Sequence, residues 1–223
     1  MYYVNSFVAR STKTNQPSKK PRQVRDAEAT QAQILDAAEQ EFARCGLAGA
    51  RIDAIVAQTG VTKAMIYYYF QSKEGLYEAV MHRIGTQLDE AFQQLASIQL
   101  PADEALKEAI RAAIAYGATY PHRGMLWFYE AIQNQGRYGN LSQWQNSFWS
   151  MTTILERGMT EKVFRPLDPF LTTINILGVC TFYFNAYENL KYLDSNRQLL
   201  SLEMIEQQTQ EALRLIMAGV RNS

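Results

Sequence analysis

With 223 residues, 47% of them apolar, the chain can bury a sizeable core in one large or two modest domains, which excludes a disordered or low-complexity polymer. Its 22 basic and 22 acidic side chains cancel, so net charge alone singles out neither nucleic acid nor membrane as a partner. Two cysteines, Cys45 and Cys180, and two histidines, His82 and His122, lie far apart without metal-ligand spacing, so no metal and no cofactor is expected.

Charge is unevenly placed. Before Asp26 the only charges are Arg10, Lys13, Lys19, Lys20, Arg22 and Arg25, interleaved with Pro17, Pro21 and small polar residues. Such a segment has little to bury, and residues 1–25 read as a flexible basic arm. It either adds phosphate contacts beside a nucleic-acid reader or is a solvated tail, and composition favours neither. The opening residues MYYVNSFVAR lack the pattern of a secretory signal, and FLTTINILGVCTFYFNAY is too polar and too short for a bilayer span. A cytoplasmic protein with no membrane partner is expected.

The pattern that follows is helical. The first helix is expected over residues 29–45, with Ile34, Leu35, Ala38 and Phe42 on one face and Gly46 as its stop. A short helix carrying Ile52, Ile55 and Val56 ends at Gly60. The next opens at Thr62 and runs KAMIYYYF, and another starts at Ser72 with Lys73 in its first turn. Two short helices across a tight glycine turn make a helix-turn-helix, whose second helix is the right size for a DNA major groove.

Residues 55–76 resemble the DNA-binding module of the tetracycline-repressor (TetR) family of bacterial regulators. The likeness is carried by Gly60-Val61-Thr62, Ile66-Tyr67-Tyr68-Tyr69-Phe70 and Ser72-Lys73-Glu74-Gly75-Leu76, and extends back through ILDAAEQEFARCG at 34–46. It covers the first third of the chain. Ala50 and Arg51 depart from it where the family often has a Thr or Ser cap, and Val56 replaces a usual Ala.

Chemistry and resemblance together assign roles in the head. Thr62 is placed to cap the recognition helix, and by resemblance Lys63, Ala64 and Met65 at its tip face base edges. There a lysine can donate to guanine O6 or N7, and Ala and Met can meet a thymine methyl. Tyr67, Tyr68 and Tyr69 are expected to fan outward to phosphates and sugars, while Ile66 and Phe70 turn inward. Lys73 resembles the family's phosphate-contacting lysine, and Arg51 is a second phosphate candidate.

Beyond the head, Leu76, Val80, Ile84, Leu88, Phe92 and Leu95 repeat at i+4 and predict one long fourth helix joining two domains. Pro101 breaks it, and Asp103 is expected to cap a fifth helix carrying Leu106, Ile110, Ala113 and Ile114. Further helices are expected over residues 121–134, 141–157, from Pro169 to about residue 189, and 200–219. The fold class is therefore all-α: a three-helix head with a helix-turn-helix and a larger C-terminal helical domain, about nine helices in total. The domain division is residues 1–25 arm, 26–72 DNA-binding domain and 73–223 ligand-binding and dimerisation domain.

Large rings crowd the second part. The family resemblance implies a small-molecule cavity there, for which Trp127, Phe128, Trp144, Phe148, Phe182 and Tyr183 are the candidate lining residues. It also implies that the last two helices pair with their copies in a homodimer, and Leu202, Ile205, Ala212, Leu213, Ile216 and Val220 mark an apolar side of the last. The expected function is a ligand-responsive repressor that binds a palindromic double-stranded DNA operator and is released by a small-molecule effector. Its alternatives are an activator or an architectural DNA-binding protein without a sensor. A helical enzyme is disfavoured, because no nucleophile with a base and no paired carboxylates stand out.

Overall fold

The computed structural model describes the backbone of residues 22–96, 100–139 and 144–222, and the side chains of these except 22–25 and 94–96. Among the described residues ten helices follow in order: α1 (Arg22–Gly49), α2 (Ile52–Thr59), α3 (Lys63–Phe70), α4 (Lys73–Ala96), α5 (Ala102–Thr119), α6 (Arg123–Asn134), α7 (Trp144–Thr160), α8 (Pro169–Asn185), α9 (Tyr187–Leu190) and α10 (Leu202–Val220). Among the described residues the only β feature is an isolated antiparallel bridge between Phe164 and Arg221. The all-α expectation holds, and the tenth helix is the single turn α9 split from α8 at Ala186.

Several boundaries differ from the sequence pattern for local reasons. Helix α1 begins at Arg22, so residues 22–25 of the basic arm are helical, while residues 1–21 lie outside the described residues. Gly46 does stop the regular helix: its φ of 66° and ψ of 179° put a kink before the last turn of α1. Asp103 does not cap α5, because the helix already starts at Ala102 and Pro101 occupies the cap position without a side-chain bond. Asp103 instead pairs with Lys107 and, from the far end of the chain, with Arg221. Leu95 and residues 141–143, which entered the predicted stripe and the seventh helix, fall outside what is described for side chains and backbone respectively.

Two cores result. The first gathers Ile34, Ala38 and Phe42 of α1, Ile52 and Ile55 of α2, Ile66 of α3, and Leu76, Tyr77, Val80, Met81 and Ile84 of α4. Leu126 of α6 and Tyr138 from the loop after it join the same cluster, so the later part of the chain is built into the head's packing. The second core joins α5, α7, α8 and α10 through Leu106, Ile110, Met151, Leu155, Ile176, Phe184, Leu213 and Ile216. Helix α4 contributes to both, with Phe92 in the second.

Helix α10 therefore lays its apolar stripe on the chain's own core. Ala212, Leu213, Ile216 and Val220 are buried within one subunit, because α10 packs along α5. The assignment of that side of α10 to a dimer contact is corrected on this point.

The entry to α4 is tight. The Ser72 hydroxyl accepts from Gly75 N at 2.9 Å, and a Cβ on Gly75 would lie 2.2 Å from the Phe70 carbonyl oxygen. That oxygen is backbone and cannot swing away. Gly75→Ala is expected to destabilise the head by about 1–3 kcal/mol, as overpacking does, measurable as a lower thermal midpoint. An unchanged midpoint would mean that the turn between α3 and α4 relaxes freely.

Candidate nucleic-acid interface and body cavity

Helix α3 owes its placement to two caps and a turn. Gly60 ends α2 in the left-handed region with φ of 68°, which an L side chain rarely adopts, and its N–H donates to Val56 O at 2.9 Å. Thr62 then caps α3, its Oγ1 accepting from Met65 N at 3.2 Å. Arg51 precedes α2 with no side-chain cap of its own, as Ala50-Arg51 led one to expect. The buried carboxylate of Glu41 on α1 instead holds the cap residue's own amide, accepting from Arg51 N at 3.2 Å while its other oxygen pairs with Arg44 at 2.8 Å.

With Ile66 buried beneath it, α3 turns Thr62, Lys63, Ala64 and Met65 to solvent at its N-terminal end. Tyr67 and Tyr68 are exposed as well, and Arg51 stands exposed at the start of α2. Tyr69 differs from its companions. It is half-buried against the head's core beside Phe70, with Tyr68 edge-on at 5.2 Å, since consecutive residues on a helix step about 100° and cannot share one face. Tyr69 is thus mainly a packing residue in this geometry. Lys73 is also engaged: its Nζ donates to the carbonyls of Ala50 at 3.2 Å and Ala48 at 3.4 Å. It satisfies open carbonyls at the end of α1, so a phosphate would have to share it.

Lys63 Nζ meets Asp53 Oδ1 of α2 at 3.1 Å, with both side chains largely exposed. On a DNA-facing surface this carboxylate competes with the nucleic acid for the lysine and repels phosphate. Asp53→Asn is expected to tighten DNA binding about 3- to 30-fold at low salt, the scale of one added favourable charge contact. Fluorescence anisotropy with duplex DNA would measure it, and weaker binding would place Asp53 in a contact of its own.

In the body, a partly enclosed cavity of about 330 Å³ lies between α4, α5, α6, α7 and α8. Trp127, Trp144 and Phe148 line it, with the two indoles edge-to-face at 5.9 Å and Trp144 against Phe148 at 6.3 Å. The other three ring candidates do not. Phe128 is one step round α6 from Trp127 and points to solvent; Phe182 is exposed on the outer side of α8, whose inner side presents Thr181, Phe184 and Asn185 to the cavity. Tyr183 sits on the outer groove with Phe182, its hydroxyl donating to Leu199 O at 2.6 Å.

One wall of the cavity is charged. Among the described residues Arg123, at the start of α6, is the one lining residue with a formal charge, and it reaches across to α1. Its Nε donates to Glu39 Oε1 at 2.6 Å and its Nη2 to Glu39 Oε2 at 3.1 Å; Nη1 donates to the Tyr116 hydroxyl at 2.9 Å, and the guanidinium lies over the Tyr120 ring at 3.6 Å. Glu39 also receives Arg83 Nη2 of α4 at 2.6 Å and contacts His122 Nε2 at 2.7 Å. Burial alone would push the Glu39 carboxyl up. Hydrogen bonds from His122 and Arg123, with the charges of Arg123 and Arg83, outweigh it and hold the carboxyl down to about 2.

A second buried acid fixes the other end of α6. Glu130 accepts from Tyr138 N at 2.5 Å, Gly139 N at 3.0 Å and Asn134 Nδ2 at 2.7 Å, holding Tyr138 edge-on to Tyr77 at 5.3 Å inside the head's core. Burial first, and then the neighbouring Glu130 charge, push the Tyr77 phenol well up. Glu39, Glu41 and Arg123 were not singled out from the sequence, and Glu130, which reads there as a polar neighbour of the rings, anchors a loop instead of lining the cavity. One signal was present: Arg123, Leu126 and Glu130 fall at i, i+3 and i+7, so two charges share the inward face of α6 with a core leucine.

A helix-turn-helix head with an exposed recognition-helix tip, fused to a helical body with an aromatic-walled cavity, defines the class of DNA-binding transcriptional regulators. The family profile "Bacterial regulatory proteins, tetR family" matches residues 34–80, and "Tetracyclin repressor-like, C-terminal domain" matches residues 103–216. The chain belongs to the TetR family. It is 38% identical over 110 residues to the HTH-type transcriptional repressor SCO4008 of Streptomyces coelicolor, a match covering 49% of this chain and 53% of that protein. The match thus spans about half the relative's length. With the HTH-type transcriptional repressor NicS of Pseudomonas putida it shares 28% over 183 residues, 78% of this chain and 80% of that one. Among solved structures, SCO4942 of Streptomyces coelicolor superposes with a TM-score of 0.68 at 25% identity, covering 86% of this chain and 98% of that one. The ketosteroid transcriptional regulator KstR2 of Mycobacterium tuberculosis shares the fold with a TM-score of 0.70 at 19% identity, covering 86% and 95%. These relatives are named as regulators, in keeping with a DNA-binding protein and not an enzyme. Among the described residues no helix is long and apolar enough to cross a membrane.

Proposed function

We propose that the protein is a homodimeric repressor that binds a palindromic operator and releases it when a small molecule occupies the body cavity. The observation that carries this reading is the double role of α6. It walls the cavity with Arg123, Gly124 and Trp127, and it also packs extensively against α1 of the head. A ligand that favours a different seat for α6 thereby favours a different seat for the head, a population shift set by its affinity for the two arrangements.

In this reading residues 26–72 form the DNA-binding domain and 73–223 the sensing and dimerising one, with α4 as the shared strut. Thr62, Lys63, Ala64 and Met65 meet the major groove; Arg51, Tyr67, Tyr68 and Lys73 meet the backbone, Tyr69 supporting them from within. Trp127, Trp144 and Phe148 hold the effector. Two heads related by a two-fold axis would read matching half-sites.

The test is selection of bound duplexes from a random pool, followed by a metabolite screen for loss of binding to the selected sequence. Inverted half-sites about one helical turn apart are expected. Selection of no preferred sequence would remove the operator reading and favour an architectural role.

A further inference from the structure

The geometry points to an effector that is an apolar ring system bearing a carboxylate, which Arg123 binds from the cavity side while loosening its hold on Glu39. This inference rests on the sensor reading above and adds the chemistry of the ligand and the residue that reads it.

Three observations lead to it. First, the cavity is walled by Trp127, Trp144, Phe148 and Phe184, so the body of the ligand must be apolar and flat faces fit it well. Second, the charge on its wall is positive and only partly matched indoors. Arg123 and Glu39 keep 5% and 4% of their side chains exposed and Arg83 keeps 18%, whereas Asp36, the further partner of Arg83, is 70% exposed. Buried Arg123 and half-buried Arg83 thus share one buried carboxylate, and a second carboxylate arriving through the cavity would complete the pairing. Third, hydrogen-bond capacity is left over on residues that line the cavity. A guanidinium carries five N–H donors. The bonds to Glu39 and Tyr116 use one hydrogen on each nitrogen of Arg123, leaving one on Nη1 and one on Nη2. Ser147, 5% exposed and lining the same cavity, has a buried hydroxyl without a partner. Tyr120 covers one face of the guanidinium, so a planar anion would meet its edge, as carboxylates do in two-pronged pairs.

The consequence for DNA follows from Glu39. Arg123 ties α6 to α1 across 84 positions of sequence. An effector carboxylate that draws the guanidinium toward the cavity leaves Glu39 with Arg83 and His122 and weakens the arginine–carboxylate pair that fixes α6 on the head. Buried Asp89, whose Oδ2 accepts from Gln93 and Asn146, does not line the cavity, although one of its oxygens lacks a partner. A cationic ligand near it is the competing outcome.

Calorimetric titration of the full chain with 2-naphthoate, 2-naphthamide and 2-naphthylmethylammonium separates these. The carboxylate is expected to bind at least about 10-fold more tightly than the amide, the worth of one charge-assisted pair, and the ammonium most weakly. In Glu39→Gln/Arg123→Gln, where two amides replace the ion pair, the preference for the carboxylate should vanish while amide binding persists. Should that variant not fold, the wild-type ranking decides alone. Naphthoate, and not the amide, should also lower affinity for pool-selected DNA. Equal or tighter binding of the amide or the ammonium would overturn the carboxylate assignment and leave the sensor cavity standing. Tight naphthoate binding with no change in DNA affinity would overturn the coupling through Glu39. Failure of all three probes to bind would overturn the cavity reading itself.

Discussion

Glu39→Ala is expected to lower the stability of the folded chain by about 3–5 kcal/mol, the scale on which removing one partner of a buried ion pair acts. The size follows from what is left behind. Arg123 would keep its charge with only Tyr116 and the Tyr120 face as partners, and Arg83 would retain only the exposed Asp36. Glu39→Gln should cost less, because an amide can still accept from one guanidinium. A denaturant melt of both variants orders them, and an alanine variant as stable as wild type would show that water enters and solvates the guanidiniums. The pH dependence has a definite sign. Because the folded carboxyl is held at about 2 against an ordinary 4.5, its contribution is fully present above about 4.5 and is lost as pH falls through that interval toward 2. The wild type should therefore lose stability below about pH 4.5 more steeply than Glu39→Gln, which has no such group to protonate.

The head was legible because its signals are local. A left-handed glycine, a threonine three residues before the amide it caps, and a serine before α4 each act within one turn, so Gly60, Thr62 and Ser72 fixed their elements without tertiary help. Long-range partners were not legible. Nothing in the string at 39 and 123 tells that two charges separated by 84 positions will meet, or that Glu41 will hold the amide at the start of α2 from a different helix. Aromatic density found the cavity's neighbourhood but not its wall. Trp127 and Phe128 are adjacent in sequence yet face opposite surroundings, and only the docking of α6 against α1 and α8 decides which ring turns inward. For the same reason the apolar stripe of α10 marked a buried face without saying whose core it would bury.

That last ambiguity decides where a second subunit can sit, and it yields the other large effect. Ile174→Glu with Phe182→Glu is expected to give a folded monomer whose affinity for a palindromic site falls by about 100-fold or more, the gain that joining two half-site contacts normally supplies. Leu171, Ile174, Gly178 and Phe182 lie at i, i+3, i+7 and i+11 along the outer face of α8, and each is exposed in the single chain. Leu215 extends the apolar surface from α10, 65% exposed between buried Leu213 and Ile216. An exposed apolar stripe of this kind calls for a partner, and an isologous pairing of α8 and α10 with their copies would cover it. Glutamates there face water in the monomer, so circular dichroism and the thermal midpoint should hardly change. Leu213→Glu makes the contrast: it forces a charge into the chain's own core beside α5, and should unfold the body instead of merely separating subunits. Sedimentation of the α8 double variant and of Leu213→Glu distinguishes the cases. A double glutamate variant that still sediments as a dimer would move the interface away from α8, and with it the spacing expected between the two recognition helices.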